Sequence, residues 1–182
     1  GRLVWDGFAT APEVAALRGA MEQAFSDLLH RGAEVSLVPD ARAEARLGAR
    51  GFRLLQALIE RCRRALGWAL RLPPTAPPLE VTGALLKRVK VPMEEGALQA
   101  DRGHDPFVPH SDQANVAAYE YSALLYLSSQ DVEFGGGALV FHDGESDREV
   151  APVAGRLVAF TSGLENLHRA APLAWGSRHV VG

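Results

Sequence analysis

The sequence contains a single cysteine, Cys62. An internal disulfide is therefore excluded, and the fold does not depend on oxidation. No apolar run reaches the ~18 residues of a membrane-spanning helix. The chain opens at Gly1 without methionine, so the lack of a visible signal or anchor carries little weight. There is no excess of basic residues: 19 Lys and Arg stand against 22 Asp and Glu, a net charge of −3. That argues against a general nucleic-acid binder, although a local basic patch is compatible with it. Gly135-Gly136-Gly137 is not followed by Gly-Lys-Ser/Thr, so it is no phosphate loop and reads as a tight hairpin. Internal repeats and low-complexity segments are absent.

What is present fits one domain of 182 residues. Residues 3–9 read as a strand and turn. Thr10, Pro12 and Glu13 form a helix start with a capping box. Val14, Leu17, Met21, Phe25 and Leu28 follow at helical spacing, with Gly32 as the stop. A second helix is predicted over about 51–72, with a broad apolar face that includes Cys62 as a packed residue. Its arginines read as a solvated face, with Glu60 and Arg64 spaced for an ion pair. Four prolines within residues 73–78 end the helical part. Beyond them Leu79–Val91, Tyr119–Ser129, Gly137–His142, Val150–Thr161 and Arg178–Val181 read as strands of a sandwich or barrel. Residues 92–107 read as a long loop at the mouth of a site. The expected division is a helical support layer over 1–75 and a β core over 76–182, in one domain.

One short motif carries chemistry. In "PHSDQ", His110 and Asp112 stand two apart, which on a strand aims both side chains to one face. Two histidines and one carboxylate form the facial triad of non-haem Fe(II) sites. His168 is the candidate third ligand. It lies 56 positions after Asp112, a separation that a double-stranded β-helix (jelly roll) can close. His142 and His179 compete for the role. His142 is followed by Asp143, which would face the other side of a strand. His179 neighbours Arg178 and is expected on the surface. His30 reads as a helix C-cap and His104 as a solvated loop residue. Arg178, if turned inward, needs an anion, and its guanidinium suits a carboxylate. Ser122 shares a strand face with Leu124 and Tyr126, so its hydroxyl needs a buried partner, a backbone group or a ligand. Glu165 and Asn166 are expected to support His168. Trp175 is expected in the core.

The segments "VPHSDQ", "YSALLYLSS", "EFGGGALVFHD", "VAPVAGRLVAFTSG" and "ENLHRAAPLAWGSR" resemble the Fe(II)/2-oxoglutarate dioxygenases of the prolyl-hydroxylase-like superfamily, within it the prolyl 3-hydroxylase (leprecan) branch. The likeness covers about 107–181, with weaker matching through "LLKRVKVPMEEGALQADR". Relatives continue past the strand holding Arg178, so a trimmed fragment is expected here. The resemblance implies an α+β fold: a jelly-roll core with an N-terminal layer of two long helices. It implies Fe(II) on His110, Asp112 and His168, with 2-oxoglutarate and O2 as co-substrates and L-ascorbate as reductant. It makes Arg178 the anchor of the co-substrate carboxylate, with Ser122 and Tyr126 beside it. The implied reaction is hydroxylation of an unactivated C–H, on a protein or peptide and prolyl by likeness, releasing succinate and CO2. Small-molecule hydroxylation and a non-catalytic metal-binding module stand as alternatives. The resemblance also suggests the secretory pathway or a membrane tether. No nucleic-acid partner is expected, and the sequence leaves location and oligomeric state open.

Overall fold

Thr10 starts the first helix, α1 (Ala11–Ala24), through the predicted capping box: its side chain accepts from the Glu13 amide while Glu13 reaches back to the Thr10 amide. In the computed structural model the described residues are 1–26, 34–37, 40–73, 75, 77–91 and 107–182. The expected stop at Gly32, His30, and the loop with His104 lie outside them. Asp40 caps the second helix, α2 (Ala41–Ala69), by accepting from the Arg42 and Ala43 amides. That helix begins a full ten residues before the predicted start. Gly48 interrupts it at φ 70°, a left-handed conformation that glycine adopts without penalty, so the sequence pattern breaks there.

The strands are β1 (Arg2–Trp5), β2 (Glu34–Leu37), β3 (Leu86–Val91), β4 (Tyr121–Tyr126), β5 (Phe134–Gly136), β6 (Leu139–His142), β7 (Asp147–Val150), β8 (Leu157–Thr161), β9 (His168–Ala170) and β10 (Leu173–Val181). One helical turn, α3 (Asp112–Asn115), precedes β4, and a 3-10 turn covers Leu164–Asn166. The predicted strand from Leu79 shortens to Leu86–Val91, with Leu85 exchanging backbone hydrogen bonds with Gly182 just ahead of it. The predicted Val150–Thr161 strand divides at the turn through Gly155 into β7 and β8.

Among the described residues, seven strands form an antiparallel sheet in the order β1-β8-β4-β10-β3-β2, with β5 also on β10. A second sheet has the order β7-β6-β9. β1 falls where residues 3–9 read as a strand, whereas β2 lies between the two helices, where no strand was expected; they hydrogen-bond to β8 and β3. Two cores result. Leu86, Leu125, Leu127, Leu157 and Val181 turn from the large sheet toward α1 and α2, where Leu17, Met21, Phe25, Leu55 and Leu58 meet them. Tyr126, Val158, Phe160 and Val180 turn the other way, toward Leu139, Phe141 and Val150 of the small sheet. Full burial of each such side chain contributes roughly 1.5–3 kcal/mol. The large sheet is thus covered on one face by helices and on the other by a second sheet. No helix among the described residues is long and apolar enough to cross a membrane.

Candidate metal centre

His110 lies outside the strands and joins β9 of the small sheet through an isolated antiparallel bridge. His110 and His168 exchange both backbone hydrogen bonds at 2.9 Å, which brings their rings to 4.4 Å between centroids. Asp112 is not on a strand, as the alternation argument supposed. It is the first residue of α3, and the turn of the chain there swings its carboxylate back. The Gln113 amide donates to the Ser162 carbonyl and holds that turn against the end of β8. Asp112 Oδ1 lies 3.6 Å from His110 Nε2 and 3.8 Å from His168 Nε2. Among the described residues these three form the group of possible metal ligands, all ligand atoms lying within 4.8 Å of one another.

Each imidazole has its orientation fixed from behind. His110 Nδ1 lies 2.8 Å from the Val108 carbonyl, and His168 Nδ1 lies 2.9 Å from the Asn166 carbonyl. A carbonyl only accepts, so Nδ1 carries the proton in both rings and Nε2 is the lone-pair nitrogen turned toward Asp112. Burial pushes the His168 pKa below its ordinary value, offset in part by the Asn166 carbonyl and the Asp112 charge. The ring is therefore neutral near pH 7, as ligation requires. Phe160 and Phe141 pack against it at 4.8 and 5.8 Å. Two imidazole nitrogens and one carboxylate, with no cysteine beside them, fit a divalent first-row metal such as Fe(II).

Arg178 is buried on β10, on the face it shares with Val180 and Tyr126, and donates through Nη1 to the Gly137 carbonyl at 3.0 Å. Gly137 is at φ 71°, so the glycine run supplies the turn that aims this carbonyl. Tyr126 is buried within the charge field of Arg178, and burial pushes its phenol up to about 12. Ser122 pairs with the Ser162 hydroxyl at 2.7 Å, a side-chain partner where a backbone one was weighed.

The structure corrects the expectations for His179, Trp175 and Glu165 and agrees with those for Asn166, His142 and Cys62. His179 does face away from Arg178, yet it is not on the surface: it is 2% exposed and hydrogen-bonds Glu22 of α1. The helix layer covers the face that the alternation left to solvent. Trp175 is 48% exposed and lies over Gly135, not in the core. Glu165 accepts from the Thr161 hydroxyl and does not reach His168, whereas the Asn166 carbonyl does. His142 bonds Asp147 and stands outside the triad. Cys62 packs partly against the helical core, and burial raises its thiol to about 11. Glu60 takes Arg63 at 2.6 Å in preference to Arg64 at 3.7 Å.

Residues 97–182 match the family model described as the 2OG-Fe(II) oxygenase superfamily. Two curated relatives share the name 2-oxoglutarate and iron-dependent oxygenase domain-containing protein 3. The one from Xenopus tropicalis is 44% identical over 84 residues, 46% of this chain and 26% of the relative. The one from Homo sapiens is 39% identical over 84 residues, again 46% and 26%. The chain thus spans about a quarter of the length of these relatives. A Pseudomonas putida prolyl-4-hydroxylase superposes with a TM-score of 0.68 at 22% identity, covering 100% of this chain and 89% of that one. A Trichoplax adhaerens prolyl hydroxylase, solved with a hypoxia inducible factor peptide fragment, superposes at 0.63 with 15% identity, covering 100% and 81%. The architecture is the jelly roll of these neighbours with its helical layer, an α+β fold.

Proposed function

We propose that this chain, whose residues 97–182 carry the pattern of the 2OG-Fe(II) oxygenase superfamily, is a 2-oxoglutarate-dependent dioxygenase that hydroxylates an unactivated C–H on a protein or peptide. The observation that carries the reading is the triad, His110, Asp112 and His168, with both histidines pinned through Nδ1. Residues 1–182 act as one catalytic domain, since β1 and β2 complete the sheet that the site stands on.

The two Nε2 atoms and the Asp112 carboxylate would hold Fe(II), leaving the remaining positions to co-substrates. When bound, the iron supplies oxygen activation coupled to oxidation of 2-oxoglutarate. The balance is one O2 and one 2-oxoglutarate consumed per C–H hydroxylated, with succinate and CO2 released. L-ascorbate would keep the metal reduced. Arg178 binds the far carboxylate of 2-oxoglutarate by charge-assisted hydrogen bonds, held in aim by Gly137. Tyr126 stays a neutral phenol at this wall, and Ser122 donates or accepts through its hydroxyl pair with Ser162. Phe141 and Phe160 keep water from the back of His168.

A peptide substrate is favoured because a chain of net charge −3 lacks support for a polyanion, and because the fold's neighbours include a prolyl hydroxylase solved with a peptide. Incubating the protein with proline-containing peptides, Fe(II), 2-oxoglutarate, ascorbate and O2 tests the reading. The expected outcome is succinate release with gain of one oxygen atom on a peptide. Succinate without peptide oxidation across the set would move the reading to a small molecule. Neither product would leave a metal-binding module.

A further inference from the structure

The stretch that matches the superfamily begins at residue 97, yet Arg2, far outside it, contacts two residues that touch His168, Asn166 and Phe141. β1 pairs with β8 so that Arg2 stands opposite Phe160, whose ring packs on His168 at 4.8 Å. From there the guanidinium reaches three groups. Its Nε donates to Asn166 Oδ1 at 2.7 Å. Its two terminal nitrogens hold both oxygens of Asp143, at 2.6 and 2.5 Å. Its central carbon sits 3.9 Å above the Phe141 ring, which itself lies 5.8 Å from the His168 ring.

Asn166 is the hinge of this arrangement. It is 3% exposed, and every polar group of its side chain is engaged: Oδ1 by Arg2, Nδ2 by the Thr161 carbonyl and hydroxyl. Its own carbonyl receives the His168 Nδ1 proton at 2.9 Å. A 3-10 turn of three residues would not by itself hold a carbonyl in place. The side-chain bonds of Asn166 immobilise it. Asp143 engages the guanidinium with both carboxylate oxygens and offsets part of its charge. Lysine, a point donor on a flexible stem, could not make the fork to Asp143 and the bond to Asn166 together.

We infer that Arg2 is a positioning residue of the metal centre: through Asn166 and Phe141 it fixes the tautomer and tilt of His168. This rests on the reading of the triad as a metal site. Supporting groups of this kind typically change metal affinity by about 10- to 100-fold when removed.

The test uses the full chain, with Co(II) as a spectroscopic probe and Fe(II) under anaerobic conditions. Arg2→Ala and Arg2→Lys are expected to weaken binding of both metals about tenfold. In the metal-free protein, ¹⁵N shifts of His168 are expected to move from a single Nδ1-protonated tautomer toward a mixture. Asp6→Ala is the control. It removes another ion pair near the same strand, Asp6 with Arg156, and touches nothing in the chain to His168. It should lower the melting temperature and leave both readouts unchanged. Unaltered affinity and tautomer in Arg2→Ala would overturn the inference, as would an equal loss of affinity in Asp6→Ala. If the wild-type protein takes up neither metal, the triad reading has failed first, and the inference goes with it.

Discussion

Two buried histidines stand on the chain's last two strands, His168 on β9 of the small sheet and His179 on β10 of the large one, and their surroundings differ in one respect. His168 is held at Nδ1 by a backbone carbonyl, and its Nε2 lies toward Asp112 beside His110. His179 is held at Nε2 by Glu22, with Arg88 paired to the same carboxylate, at the interface between the large sheet and α1. Burial lowers the pKa of both rings. Burial and a depressed pKa therefore do not separate a ligand from a fastener. The Nε2 lone pair does: in one ring it is kept toward other donors, in the other Nε2 donates to a carboxylate and His179 Nδ1 meets no hydrogen-bond partner among the described residues.

The largest effect should come from breaking the first ring. His168→Ala is expected to abolish Fe(II) uptake while the chain keeps a cooperative thermal transition, measured by metal titration and calorimetry. Next is Arg178, buried on β10. Arg178→Ala is expected to raise the Kd for 2-oxoglutarate about 10- to 100-fold, the worth of a charged hydrogen bond, with Fe(II) affinity unchanged by isothermal titration. Equal loss of both would place Arg178 in the metal site instead.

The second ring should behave in the opposite way. His179→Ala leaves Glu22 and Arg88 facing each other without their third member. It is expected to lower stability by about 1–2 kcal/mol in urea, discounted because Glu22 is half exposed, and to leave metal affinity intact. Its pH dependence has a definite sign. His179 faces Glu22, Arg18 and Arg88, and its folded pKa is depressed, first by burial. Its contribution is complete above its ordinary value of 6.5 and falls as pH drops below it. For Glu22, burial pushes the carboxyl up, but His179 and Arg88 more than offset this, so its pKa lies below 4.5 and its contribution is also lost on acidification. The stability difference between wild type and His179→Gln should therefore shrink from pH 7 to pH 5. The smallest effect lies farther into the helix layer. Glu13 caps α1 and pairs with Arg61 of α2, and the Arg61 hydrogen bond first, then the Thr10 amide, bring its pKa to about 2. Glu13→Gln is expected to cost about 0.5–1 kcal/mol, a difference present above pH 4.5 and lost as pH falls toward 2.

The site's residue types were legible because few chemistries need "HSD" followed by a distant histidine and a strand arginine. The route by which Asp112 reaches the other two was not. Alternation on a strand gave the right side for the wrong reason, since α3 begins at Asp112. The burial of His179 was readable in principle: two amphipathic helices ahead of a sheet imply that one of its faces is covered. Alternation alone says only that two neighbours face apart. The early turns of α2 were hidden by Gly48, whose left-handed backbone breaks the 3.6-residue pattern. Short strands such as β5, β7 and β9 carry too few residues for a period to register. Arg2 belongs to no motif; only the β1–β8 register brings it to Asn166.

The central claim is that the triad and the arginine wall form one Fe(II) and 2-oxoglutarate site. Anaerobic titration of Fe(II) into the protein with 2-oxoglutarate, followed by visible absorption, tests it most directly. The expected result is a saturable charge-transfer band at one equivalent of iron, absent in His168→Ala and retained in His179→Ala at a matched folded fraction. No band in the wild type, or a band that survives in His168→Ala, would contradict it.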